Sequence, residues 1–92
     1  MEIKHIDDGK HGAFFILIDE KRVGEMVYNW SGTDRILITH TEVGPELAGH
    51  GAGKKMLFKA VDFAREKGIK IVPLCTYAAS VFEKVDEIKD VL

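Results

Sequence analysis

Residues 48–55 read Ala-Gly-His-Gly-Ala-Gly-Lys-Lys, with glycine at 49, 51 and 53 and lysine at 54 and 55. Glycine loses more freedom than any other residue when its backbone is fixed, so this spacing needs a reason. The stretch stands directly before the strongest helical pattern in the chain. Met56, Leu57, Ala60, Val61 and Ala64 recur at helical spacing, with Lys55, Lys59, Asp62 and Arg65 elsewhere around the cylinder. This predicts a helix over residues 54–67, with Gly68 as its C-terminal cap. The start of a helix exposes N–H groups without partners and a partial positive charge. Glycines ahead of it remove side chains, so an anion can reach the main chain. Together these describe a phosphate or pyrophosphate site.

Two nucleotide-binding patterns fail against the stretch. A P-loop needs Gly-x-x-x-x-Gly-Lys-Ser/Thr, but Gly49 and Gly53 are one residue too close and Lys55 stands where the hydroxyl belongs. A Rossmann fingerprint needs Gly-x-Gly-x-x-Gly near the start of a βαβ unit and an acidic residue ending the next strand. Here the apolar run after the helix ends in Pro73-Leu74-Cys75.

Outward from the glycines, the chain reads as one domain over residues 1–92. Strands are predicted at residues 3–6, 13–18, 23–30 and Arg35–Val43, separated by turns at 8–12, 19–22 and 31–34. The first half is thus an antiparallel meander. The second half carries the helix, a buried strand over residues 69–74 that ends irregularly at Pro73, and a helix over Thr76–Lys84 with Tyr77, Val81 and Phe82 inward. The amphipathic tail fits either helix or strand. The net charge of −2 gives no basic field for nucleic acid, and the single cysteine, Cys75, excludes an internal disulfide framework. A reducing cytoplasm is the default compartment, since no signal core and no membrane-length apolar run appears. Asn29-Trp30-Ser31 matches a glycosylation acceptor by chance.

Residues 43–53, Val-Gly-Pro-Glu-Leu-Ala-Gly-His-Gly-Ala-Gly, resemble the acetyl-coenzyme A motif of the GNAT acetyltransferase superfamily. That motif runs Val-x-Pro-x-x-Arg/Gln-Gly-x-Gly-x-Gly/Ala where the fourth strand meets a helix. His40-Thr41-Glu42-Val43 and Val72-Pro73-Leu74-Cys75 are similar to the signature of a minimal GNAT-like subfamily of about this length, and the resemblance covers residues 13–84. It implies an α+β GNAT fold: a mostly antiparallel mixed sheet with helices packed on it and a V-shaped splay between its last two core strands. It implies acetyl-CoA as acyl donor, an amine as acceptor and direct attack in a ternary complex; no metal, nucleic-acid or membrane partner is expected. The implied cofactor contacts are the backbone of Glu42 and Val43 for the pantetheine arm, residues Ala48, Gly49, His50, Gly51, Ala52, Gly53 and Lys54 around the pyrophosphate, and Tyr77.

Three departures stand out. Ala48 replaces the usual Arg or Gln, leaving Lys54 or Lys55 to supply charge. Phe82 stands where a tyrosine commonly protonates the departing thiolate, which a phenyl ring cannot do. The segments that cover the acceptor side in larger members are missing, so that side is expected to be open.

Amine acylation needs a base for the amine and donors for the oxyanion. On a regular strand Ile36, Ile38, His40 and Glu42 share one face and Leu37, Thr39, Thr41 and Val43 the other. Either His40 or Glu42 is then a candidate base, against the plainer roles of a hydrogen-bonded histidine beside the core and a strand-edge carboxylate. Cys75, before a helix, is a candidate nucleophile that would accept the acyl group and hand it on; the plainer role is a small packed hydrophobe. His50 is expected to face solvent, Trp30 to pack, and Lys54, Lys55 and Lys59 to meet a phosphate or line a solvated face. His5 and His11 lack metal-ligand spacing with the cysteine. The alternative function is a module that binds acetyl-CoA or CoA without catalysis, as a sensor or interaction partner.

Overall fold

The structure, a computed structural model, describes residues 2–92. Five strands lie in the order they occur in the chain: β1 (Ile3–Asp7), β2 (His11–Ile18), β3 (Lys21–Ser31), β4 (Arg35–Val43) and β5 (Lys70–Pro73). The first four pair antiparallel, and β5 joins β4 in parallel after the crossover helix α1 (Ala52–Lys67). Helix α2 (Thr76–Lys84) follows β5, and the tail, undecided in sequence, forms a 3-10 segment over Asp86–Val91. Its Ile88 and Val91 are buried, and Arg65 of α1 holds it with a two-pronged contact to Asp90 (Nε–Oδ2 3.0 Å, Nη2–Oδ1 2.7 Å).

The turns follow local chemistry. Asp8 Oδ1 accepts the N–H groups of Lys10 (2.8 Å) and His11 (2.7 Å), closing the β1–β2 connection. Between β2 and β3 the two-residue turn Asp19-Glu20 has both residues at positive φ (51° and 66°), as the twist of a tight hairpin demands. Gly68 caps α1 in the left-handed region and donates to Ala64 and Arg65 oxygens.

One core joins Phe14, Ile16, Met26, Tyr28, Ile36, Ile38 and Ile71 of the sheet to Met56, Leu57, Ala60, Val61 and Ala64 of α1 and Ala78, Val81 and Phe82 of α2. Tyr77 departs from the inward position expected for it: the buried positions of α2 are 78, 81 and 82, and Tyr77 points away from the core, 38% exposed. The alternate sheet residues Phe15, Val27, Leu37 and Val72 stand outside this core, half-buried, with the Arg22 guanidinium 4.0 Å from the Phe15 ring centre.

Two bulges break strict alternation. One sets Val23 as an extra residue in β3, since Ile16 pairs with Gly24 and Leu17 with Arg22. The other sets Thr39 as an extra residue in β4, since Tyr28 pairs with Ile38 and Val27 with His40.

At the β1 edge the fully buried Tyr28 ring lies over Gly12. Its hydroxyl donates to Asp7 and accepts from His5 Nε2 (2.7 Å), while Trp30 Nε1 also donates to Asp7 (2.8 Å). Asp7, an ionised acceptor, takes the only tyrosine proton, so His5 carries its proton on Nε2. Burial lowers the His5 pKa despite the Asp7 charge. Burial pushes Asp7 up, but hydrogen bonds from Tyr28, Trp30 and the Gly9 N–H outweigh it and hold the carboxyl below its ordinary value. Trp30 therefore packs and bonds within the fold, as expected.

Candidate active site

The end of β4, the glycine loop and the start of both helices converge on one side of the sheet. Beyond Val43 the chain makes a 3-10 turn at Pro45–Leu47, anchored by the Gly44 N–H on Val23 O (2.7 Å) and by the buried Leu47. Gly49 (φ 80°) and Gly51 (φ 64°) take left-handed backbone, which residues with side chains rarely adopt. Helix α1 begins at Ala52, two residues before the predicted start, with Gly51 as its N-cap and no side-chain cap. The N–H groups of Ala48 and His50 are spent on Pro45 O (3.2 Å) and Leu47 O (3.1 Å), whereas those of Gly49, Gly51, Ala52, Gly53 and Lys54 have no acceptor among the described residues. Five backbone donors around a helix start form a cradle suited to a diphosphate. His50, Lys54, Lys55 and Lys59 are exposed around it.

Tyr77 forms the other wall. A Cβ on Gly53 would lie 2.8 Å from both Cζ and the hydroxyl of Tyr77, so glycine at 53 is what lets the ring rest on the first turn of α1. Burial first, and the Cys75 sulfur second, raise the Tyr77 phenol pKa, which keeps it a hydrogen donor.

The strands part where the resemblance placed a splay. β4 and β5 pair only from Arg35–Lys70 to Ile38–Pro73, and the N–H groups of Leu74 (2.9 Å) and Cys75 (3.0 Å) both converge on Ile38 O. From Thr39 to Val43 the outer edge of β4 carries no partner strand. Val43, Leu74 and Tyr77 leave apolar surface exposed beside that opening, at 38%, 58% and 38%.

Cys75 sits at the mouth, as the N-cap of α2. Its sulfur is half-buried, accepts the Ala78 N–H (3.4 Å) and lies 3.3 Å from the Thr41 hydroxyl. Phe82 is 2% exposed and packs in the core.

The bulge at Thr39 corrects the expected faces of β4. His40 and Glu42 do not share a face with Ile36 and Ile38. The extra residue reverses the alternation, so Thr41 joins that face and His40 and Glu42 turn to the other, beside their cross-strand neighbours Val27 and Glu25. There both are exposed, with His40 Nε2 3.5 Å from Glu42 Oε2, and a hollow of about 260 Å³ opens between Glu42, Glu25 and Glu46. Cys75 and the His40–Glu42 pair therefore flank the open edge of β4 from opposite faces. Thr41 was missed in sequence, because nothing in "HTEV" marks a bulge. Among the described residues no group of three potential metal ligands occurs.

The sequence profile of the GCN5-related N-acetyl-transferases matches residues 13–91. The chain belongs to this family. Among solved structures, a GCN5-like protein from Staphylococcus aureus is 36% identical, with a TM-score of 0.77 over 98% of this chain and 85% of that one. A nourseothricin acetyltransferase is 28% identical (TM-score 0.61, 85% of this chain, 50% of that one). A ribosomal-protein-alanine N-acetyltransferase from Brucella melitensis biovar Abortus 2308 is 19% identical (TM-score 0.68, 85% and 62%), which speaks for the fold alone. Among curated proteins none matches the chain. The GCN5-related fold expected from the sequence is thus present: α+β, a mixed sheet with helices packed on it, and a splay between β4 and β5. Among the described residues no helix is long and apolar enough to cross a membrane.

Proposed function

We propose that this GCN5-related protein moves an acetyl group from acetyl-CoA to an amine, in the cytoplasm. The observation that supports it most is the convergence of five unpartnered N–H groups, an unpaired strand edge and a half-buried thiol along one path. Gly49, Gly51, Ala52, Gly53 and Lys54 hold the diphosphate, with Ala48 and His50 shaping the loop. The edge at Glu42 and Val43 takes the pantetheine arm as an added strand, and the Tyr77 ring covers it. The thioester then reaches the splay beside Cys75.

The amine nitrogen bonds to the thioester carbonyl carbon, the carbon–sulfur bond breaks, and the amine proton passes to His40 or Glu42. In the two-step form the Cys75 thiolate attacks the carbonyl carbon and the carbon–sulfur bond breaks with its electron pair leaving on the coenzyme thiolate; the amine then attacks the acetyl-cysteine, its proton passes to His40 or Glu42, and the Cys75 thiolate is regenerated. The resemblance leaves the acceptor side without the covering segments of larger members, which suits an exposed amine on a macromolecule.

The test is thiol release from acetyl-CoA with a panel of amines and lysine-bearing peptides. Turnover lost in Cys75→Ser, with coenzyme binding retained, supports the two-step form; undiminished turnover removes it. One observation favours a second reading, a binding module without catalysis: Phe82, at the usual tyrosine position, is buried and has no proton to give. Calorimetric binding of acetyl-CoA with no thiol release for any amine would establish that reading instead.

A further inference from the structure

We infer that Thr41 is a positioning residue for acyl transfer: its hydroxyl holds the Cys75 sulfur at the mouth of the splay. The inference rests on the proposed acetyl transfer and concerns the same site.

The bulge at Thr39 is its physical basis. Without the extra residue, His40 would lie on the face of Ile36 and Ile38, and Thr41 would point to the opposite face. With it, Thr41 lies opposite the buried Met26 and its Oγ1 comes to 3.3 Å from Cys75 Sγ. The bulge holds its own geometry in part through Thr39, whose hydroxyl donates to Val27 O (3.4 Å). The sulfur also accepts from another element, the Ala78 N–H at 3.4 Å. Two contacts on separate elements, the Thr41 hydroxyl of β4, which must donate when the sulfur is a thiolate, and the Ala78 N–H of α2, fix where the sulfur points. A thiolate gains from both, since hydrogen bonds to a charged acceptor are stronger than those to a neutral one. Valine has the shape of threonine without the hydroxyl, so Thr41→Val removes the donor and keeps the packing.

The experiment follows Cys75 alkylation by iodoacetamide, which needs no acetyl-CoA, alongside thiol release from acetyl-CoA with an active amine. In Thr41→Val the alkylation rate at pH 7 is expected to fall about fivefold. kcat falls with it while KM for acetyl-CoA holds, and Thr41→Ser restores both rates. Unfolding midpoints of the two variants within 3 °C of the parent, an order-of-magnitude allowance of about 0.5 kcal/mol, establish that the fold is intact. Unchanged alkylation at pH 7 overturns the inference. So does slowed alkylation with unchanged turnover, which would mean that the sulfur is held but not used. Absence of turnover in the parent protein with every amine is a different failure, that of the proposed transfer itself.

Discussion

Replacing Gly53 by alanine separates the stability of the fold from the binding of coenzyme. Gly53 lies in the first turn of α1 at negative φ, so its backbone accepts any residue, and alanine in a helix is favoured over glycine by up to about 1 kcal/mol. Near the helix end the gain is about 0.5 kcal/mol. The added methyl would stand 2.8 Å from the Tyr77 ring end, closer than packed carbons approach. Tyr77 is 38% exposed, so it can swing outward, and the packing it gives up is of the same order as the gain. The unfolding midpoint is therefore expected to move by no more than about 3 °C. If the coenzyme lies under Tyr77 as proposed, its binding responds differently, because the displaced ring no longer covers the slot. Losing one aromatic contact costs about 1 kcal/mol, a five- to tenfold rise in Kd. Titration calorimetry with CoA, paired with thermal unfolding, reads both. The decisive arm is the double variant with Tyr77→Ala. If Gly53 serves Tyr77, alanine at 53 adds nothing in that background. An equal loss of affinity in both backgrounds would refute the reasoning and make the glycine a matter of ligand approach alone.

Gly12→Ala is the contrasting case: the ring it meets, Tyr28, is fully buried and bonded to His5 and Asp7, so it cannot swing clear, and a loss of about 3–5 kcal/mol is expected in urea unfolding. A midpoint unchanged in that variant would mean that Gly12 does not support the Tyr28 ring. Acid weakens the fold in two stages. The pKa values of His5 and Asp7 are both lowered on folding, so the unfolded chain binds more protons as pH falls. Stability is full above about pH 6.5, declines as His5 titrates, and declines again below about pH 4 with Asp7. Urea midpoints from pH 7 to 5 measure the first stage, which His5→Gln should reduce; an equal slope in that variant would place the sensitivity elsewhere. Glu20→Gly relieves a residue with a side chain held at φ 66° and is expected to stabilise by about 0.5 kcal/mol in thermal unfolding, a loss being the contrary result.

The sequence carried most of the architecture, because its elements are short, well punctuated and locally consistent. Apolar spacing from Met56 to Ala64 and the cap at Gly68 placed α1 within two residues of its start, and β4 and α2 coincide with their predicted bounds. The glycine pattern pointed to the stretch whose main-chain amides lack acceptors among the described residues, since such a stretch is legible as residue type. What stayed hidden depends on register. A bulge adds one residue without a compositional mark, so the faces of His40 and Thr41 could be assigned only once Ile38 and His40 were seen to bracket an unpaired Thr39. How the Tyr77 ring rests on Gly53 was hidden for a related reason: the two lie on different helices, and only the missing Cβ at 53 gives the ring its place. The Tyr28–Asp7–His5 network needed three strands in register before its atoms could meet.

Strand order across the sheet copies strand order along the chain. Each of the first four strands therefore finds its neighbour by closing a loop of a few residues, at small entropic cost and high speed. The passage from β4 through α1 to β5 is the exception, since Arg35 meets Lys70 only after a long excursion. The cradle lies on that passage and Cys75 just beyond its end, so this half of the molecule is expected to assemble last and open first, and a bound nucleotide touching both would act chiefly by slowing unfolding.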